Sequence, residues 1–265
     1  MAYIGFILSI LIGVILGLIG GGGAILTVPL VSHFFHVSTM EATTYSLIVV
    51  TFSSLMGVWK RRGQGLLDLK HAVLFLIPSM LTAFYLRSFV VHKLPADFIW
   101  QGRIWDTDGF MKLLLSFVML LVALSMLRPM KIRPNRRGTT PILRIILLGL
   151  FTGTLSGVLG AGGGFIIVPI LMTLGYDMRK AVANSMFIIV IQSTISLMGD
   201  FAANWEVINV NWYLAGTLTL LTMVGVIIGT HYQYKITGKI LRRIFSGILF
   251  SVALFVGYNA IKILF

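Results

Sequence analysis

A glycine-broken apolar segment occurs twice in this chain, and that duplication restricts its fold more than any other feature. Gly17-Leu18-Ile19-Gly20-Gly21-Gly22-Gly23-Ala24-Ile25-Leu26-Thr27-Val28-Pro29 returns 140 positions later as Gly157-Val158-Leu159-Gly160-Ala161-Gly162-Gly163-Gly164-Phe165-Ile166-Ile167-Val168-Pro169. Four glycines, a valine and a proline coincide without a gap. Paired interruptions of this kind in a hydrophobic chain point to the binding site of a secondary transporter.

The surroundings decide the solvent. Of 265 residues, 57% are hydrophobic and 11% charged, with a mean hydropathy of +0.96, whereas soluble domains carry roughly 25% charged residues. This composition belongs to an integral membrane protein. Apolar runs cover roughly 3–19, 24–35, 42–58, 71–91 and 110–127, then 142–159, 164–175, 178–199, 212–230 and 244–264. The five-plus-five pattern follows the duplicated motif. It predicts a first membrane repeat over 1–127, a basic linker over 128–141 and a second repeat over 142–265, within a single membrane domain. The runs 24–35 and 164–175 would be about 18 Å long as helices, short of the ~30 Å hydrocarbon core, and are read as half-helices or re-entrant arms. With no basic residues before it, the first segment is expected to be retained rather than cleaved as a signal peptide. The absence of cysteine removes disulfides and thiolate metal sites.

The net charge of +13 would suggest nucleic acid in a soluble protein. Here the basic residues cluster in four stretches: Arg128–Arg144, Lys60–Lys70, Lys235–Arg243 and Arg179-Lys180. The positive-inside rule makes those stretches cytoplasmic. Six of the eight acids, Glu41, Asp97, Asp106, Asp108, Asp200 and Glu206, then fall outside, as do both termini. The charge is a topology signal, and no nucleic-acid partner is expected. Since each half contributes five segments, the halves enter the membrane from opposite sides. The expected fold is all-α, built from two inverted-topology repeats.

Glycine runs interrupt helices and leave amide groups unpaired at the electropositive start of the next helix. Buried in lipid, those donors need partners, and a small anion supplies them. Gly20, Gly21, Gly22, Gly23, Gly160, Gly162, Gly163 and Gly164 are therefore candidate substrate contacts. Gly13, Gly17, Gly153 and Gly157, spaced by four, read instead as close-packing positions between helices. A dinucleotide fold fails for want of a βαβ unit, and a P-loop for want of the lysine. Pro29 and Pro169 leave two alternatives open. Either each kinks a short helix, or each opens one that starts later, with 24–28 and 164–168 extended.

Polar residues inside the apolar runs are also duplicated. Glu41-Ala42-Thr43-Thr44-Tyr45-Ser46 aligns with Lys180-Ala181-Val182-Ala183-Asn184-Ser185, and Ser53-Ser54 with Gln192-Ser193. Tyr45, Ser46, Asn184, Ser185 and Gln192 are candidates for lining a pathway. Glu41 and Arg87, near the outer ends of their helices, are expected to snorkel, with Glu41 the leading carboxylate for any proton coupling. His33 and His36 read as interfacial.

The paired G-x-x-G-x-G-G-x-x-x-x-x-P motif and the duplicated polar motif resemble the TauE/SafE family of sulfite exporters, over about Ile4 to Phe265. The resemblance implies a bacterial inner-membrane permease for sulfite, organosulfonates such as sulfoacetate, or related carboxylates. It implies no cofactor and no metal, and leaves homo-oligomerisation open. Tyr45-Ser46 stands where the second repeat keeps the family's Asn-Ser pair as Asn184-Ser185. An anion channel with the same half-helices framing a pore is the alternative. An intramembrane hydrolase is disfavoured, because Gly153-Thr154-Leu155-Ser156-Gly157 is not a nucleophile elbow and His231 lies at a helix end.

Overall fold

The structure is a computed structural model that describes residues 2–91, 97–100, 103–127, 142–160, 163–204, 210–233 and 235–264. Ten α-helices account for nearly all of it: α1 Ala2–Ile19, α2 Ala24–Phe34, α3 Thr39–Arg61, α4 Leu69–Phe89, α5 Thr107–Leu127, α6 Ile142–Leu159, α7 Gly164–Thr173, α8 Met178–Asn204, α9 Trp212–Tyr232 and α10 Gly238–Leu264. The all-helical membrane architecture expected from the apolar runs is what the chain forms. A short antiparallel hairpin, β1 Asp97–Trp100 with β2 Arg103–Asp106, precedes α5. Among the described residues seven helices are long and apolar enough to cross a membrane, while α1, α2 and α7 carry shorter apolar stretches. The expected linker over 128–141 lies outside the described residues.

Both short arms are helical from their first residue, so the extended alternative for 24–28 and 164–168 is set aside. Pro29 and Pro169 are the sixth residues of α2 and α7. Each withholds one amide from the helix ladder and leaves the carbonyl of Ile25 or Phe165 without its usual donor. The end of α2 returns to the start of α1: a Cβ on Gly5 would lie 2.8 Å from the Phe35 ring. The α1–α2 pair is thus a helical hairpin bent at Gly20–Gly23.

Packing repeats when the halves are exchanged. Helix α1 lies along α9 as α6 lies along α4; α2 packs on α3 as α7 packs on α8; α3 meets α9 as α8 meets α4. Helices α3 and α8 pair with each other at the centre, and α5 pairs with α10. The α1–α9 contact runs through Gly13 and Gly17 against Gly225 and Gly229, and the α6–α4 contact through Gly153 and Gly157 against Ser79 and Ala83. Small residues let these backbones touch, the packing role expected from their spacing. Because α1 packs on α9 and α6 on α4, neither half forms a core without the other.

Candidate functional site

Gly20 and Gly160 end α1 and α6 in the same way, with φ of +81° and +61°, a region that favours glycine. Each corner touches the opposite half at an equivalent place. A Cβ on Gly20 would lie 2.5 Å from Ser185 Oγ and 3.2 Å from Val182 Cα. One on Gly160 would run into Thr43, which aligns with Val182. One turn on, the corners cross: a Cβ on Gly164 would stand 2.5 Å from Gly21 Cα, a space only glycine leaves free. Ile189 of α8 covers this crossing, with its Cδ1 against both glycines. Gly22 lies in the 3-10 turn between Gly21 and Gly23; Gly162 lies outside the described residues.

Beside the crossing the halves differ chemically. A Cβ on Gly163 would lie 3.1 Å from Ser156 Cβ, 3.1 Å from Thr152 Cγ2 and 3.2 Å from Gln192 Nε2. At the matching corner, Gly23 faces Ile12 and Leu16. Gln192 is fully buried, and neither its amide nitrogen nor its oxygen has a hydrogen-bond partner among the described residues. The hydroxyls of Ser53, Ser54, Ser156, Ser193 and Ser196 share that condition. A buried amide without partners is costly, on the order of 1–3 kcal/mol. Of these groups, Gln192 and Ser156 meet at Gly163, and buried polar groups inside a hydrophobic protein call for a partner. The groups around Gly163 are neutral, and Ser156 and Thr152 stand beside it as sequence reasoning did not foresee. Their signal was available: they are the polar counterparts of Leu16 and Ile12.

Four predicted residues are engaged with the backbone. Asn184 donates from Nδ2 to the carbonyls of Leu66 (2.9 Å) and Lys180 (2.8 Å), and its Oδ1 accepts from the Asp68 amide at 2.8 Å. Tyr45 Oη accepts from the Asn211 amide at 2.6 Å. Asp68 and Asn211 both directly precede the fourth helix of their half, so Tyr45 does in the first half what Asn184 does in the second. Tyr176 donates to Asp68 Oδ2 at 2.9 Å in the same loop cluster, and burial together with that carboxylate pushes its phenol well above the usual range. Ser46 Oγ donates to the Ala24 carbonyl at 3.4 Å, and Ser185 Oγ to that of Val182 at 2.9 Å. Ser38 caps α3: its Oγ accepts from the Glu41 amide and donates to the Glu41 carboxylate.

Arg87 does not snorkel, and Asp200 does not face the outer solution. Both are fully buried, and Arg87 spans the carboxylate with Nε 2.5 Å from Oδ1 and Nη2 2.5 Å from Oδ2. Thr43 Oγ1 accepts from Nη1 at 2.9 Å, and Thr44 Oγ1 donates to Asp200 at 2.9 Å. A partner 113 residues away in sequence removes the need to reach water. The pair joins α4, α8 and the start of α3 at one end of the molecule.

The profile described as "Sulfite exporter TauE/SafE" matches residues 5–256. A probable membrane transporter protein of Bacillus subtilis is 30% identical over 68% of this chain and 71% of its own length. Probable membrane transporter proteins of Methanocaldococcus jannaschii and Xylella fastidiosa are 26% and 28% identical, over 94% and 93% of this chain and 94% and 91% of their own. No solved structure matches. With crossed glycine corners in a multi-pass helical architecture and a profile match along almost its whole length, the chain belongs to the TauE/SafE family of membrane transporters.

Proposed function

We propose that this protein is a secondary transporter that exports small anions, sulfite, sulfonates such as sulfoacetate or related carboxylates, across the bacterial inner membrane. The observation that carries the reading is the fully buried Gln192 amide, without a partner among the described residues and aimed at Gly163, with Ser156 beside it, next to the crossing of Gly21 and Gly164. An oxyanion there accepts from the Gln192 amide, the serine hydroxyls and the amides that open α7. The two hairpins are inverted-topology repeats entering from opposite leaflets, with both termini outside. Rocking of one half against the other exposes the site alternately. Ile189 closes the crossing in the conformation described, which favours a carrier over an open pore. An inside-negative potential assists anion exit by about 2.3 kcal/mol per charge per 100 mV, so export needs no coupling carboxylate.

The test is 35S-sulfite and sulfoacetate flux in proteoliposomes with wild-type protein and Gln192→Leu. Removing an orphaned amide leaves thermal stability equal or higher, whereas flux falls at least about tenfold, the equivalent of one charge-assisted hydrogen bond. Saturable counterflow accompanies the wild-type flux. Undiminished flux in a well-folded Gln192→Leu variant removes the residue from the site.

A further inference from the structure

A cavity of about 380 Å³ opens between α3 and α9, lined by Lys60, Arg61, Gln64, Thr230 and His231. Lys60 and His231 are exposed, but Arg61 is 97% buried behind them. Its guanidinium turns inward: Nη1 donates to the Gly57 carbonyl at 3.1 Å and Nη2 to Gly17 O and Gln233 Oε1 at 2.6 Å each. The buried Gln233 Nε2 has no hydrogen-bond partner among the described residues. Gly17 lies three residues before the Gly20 corner, so Arg61 holds the tip of the α1–α2 hairpin directly.

We propose that Arg61 and Gln233 form the cytoplasmic receiving site for the exported oxyanion, an assignment that rests on the transport reading. A guanidinium offers a planar fork of donors suited to sulfite and sulfonate oxygens, and the free Gln233 amide adds a third. Lys60 raises the anion concentration at the mouth. An arriving oxyanion takes the Nη2 donor from Gly17 and so frees the hairpin tip as it loads. The opposite end is chemically unlike. There the position of α8 that aligns with Arg61 is Asp200, already closed by Arg87, and no equivalent anion site exists among those residues. A phospholipid headgroup carries the same oxyanion chemistry, but it would meet Lys60 at the rim before the buried Arg61.

The chain has no cysteine, so Thr230→Cys places a single thiol in the cavity wall with Arg61 intact. In inside-out vesicles of phosphatidylcholine, millimolar methanesulfonate at constant ionic strength slows its labelling by an impermeant maleimide several-fold. Arg61→Lys raises the KM for sulfite presented at the cytoplasmic face about tenfold, the loss of a bidentate contact, and leaves the KM from the other face unchanged. A merely structural arginine would shift both faces together. Absence of protection, protection only when the vesicles contain phosphatidylglycerol, or an equal KM shift at both faces overturns the proposal. Protection of the Thr230→Cys thiol, where the wild-type protein moves neither sulfite nor sulfoacetate, leaves the oxyanion site standing and removes the transport reading instead.

Discussion

At the scale of single residues, the chain confines its buried charge to places where hydrogen bonds surround it. The Arg87–Asp200 pair is the clearest case, with both side chains at 0% exposure and two threonine hydroxyls completing the network. Desolvating two charges costs several kcal/mol each, and their mutual attraction offsets this only while both remain. Asp200→Asn should therefore destabilise the protein by about 3–5 kcal/mol, because Arg87 stays buried without its counter-charge. Replacing both, Arg87→Met with Asp200→Leu, should recover most of that loss, since an apolar pair of similar volume carries no desolvation penalty. Thermal unfolding of the three purified proteins in detergent reads the order. A double variant that melts no higher than Asp200→Asn would show that the pair does not act as a unit.

At the scale of elements, the hairpin corners depend on two glycines at the point where they cross. A methyl group on Gly21 or Gly164 has nowhere to go, because the nearest atoms are the backbone of the other glycine and the end of Ile189. Gly21→Ala and Gly164→Ala should each cost about 1–3 kcal/mol or more, as overpacking does. Gly216→Ala in α9, where the added carbon meets nothing within 4 Å, should be neutral or gain up to about 1 kcal/mol from helix propensity. Melting temperatures that failed to separate these variants would deny the crossing. The duplication, the segments, the short arms and the close-packing glycines were all legible in sequence, because each leaves a local pattern of composition and spacing. The clamps were not. Tyr45 and Asn184 look like different chemistry in aligned positions, and only the loop amides of Asn211 and Asp68 reveal a shared task. Arg87 and Asp200 lie on different repeats, and no local pattern announces such a pairing.

At the scale of the whole molecule, the exchange-symmetric packing constrains the topology. Helix α1 is bound along α9 and α6 along α4, each through small residues, with α3 and α8 between them. The proposed rocking of two such bodies about the central pair requires both breaks to stay at membrane depth, which the proposed inverted arrangement would provide. The ends would then face different compartments. On the proposed topology Lys60, Arg61 and Arg62, ending α3, lie inside by the positive-inside rule, and the start of α9 lies outside. The cysteine-free background makes this decidable with one thiol at a time. Tyr213→Cys, at the exposed start of α9, should react with an impermeant maleimide added to intact cells. Gln64→Cys, in the loop after α3, should react only once the membrane is opened. The reverse pattern would invert the molecule and place the arginine-lined cavity on the outer face, where it would serve uptake. Labelling of both thiols in sealed cells would break the odd crossing number on which the inversion of the two halves depends.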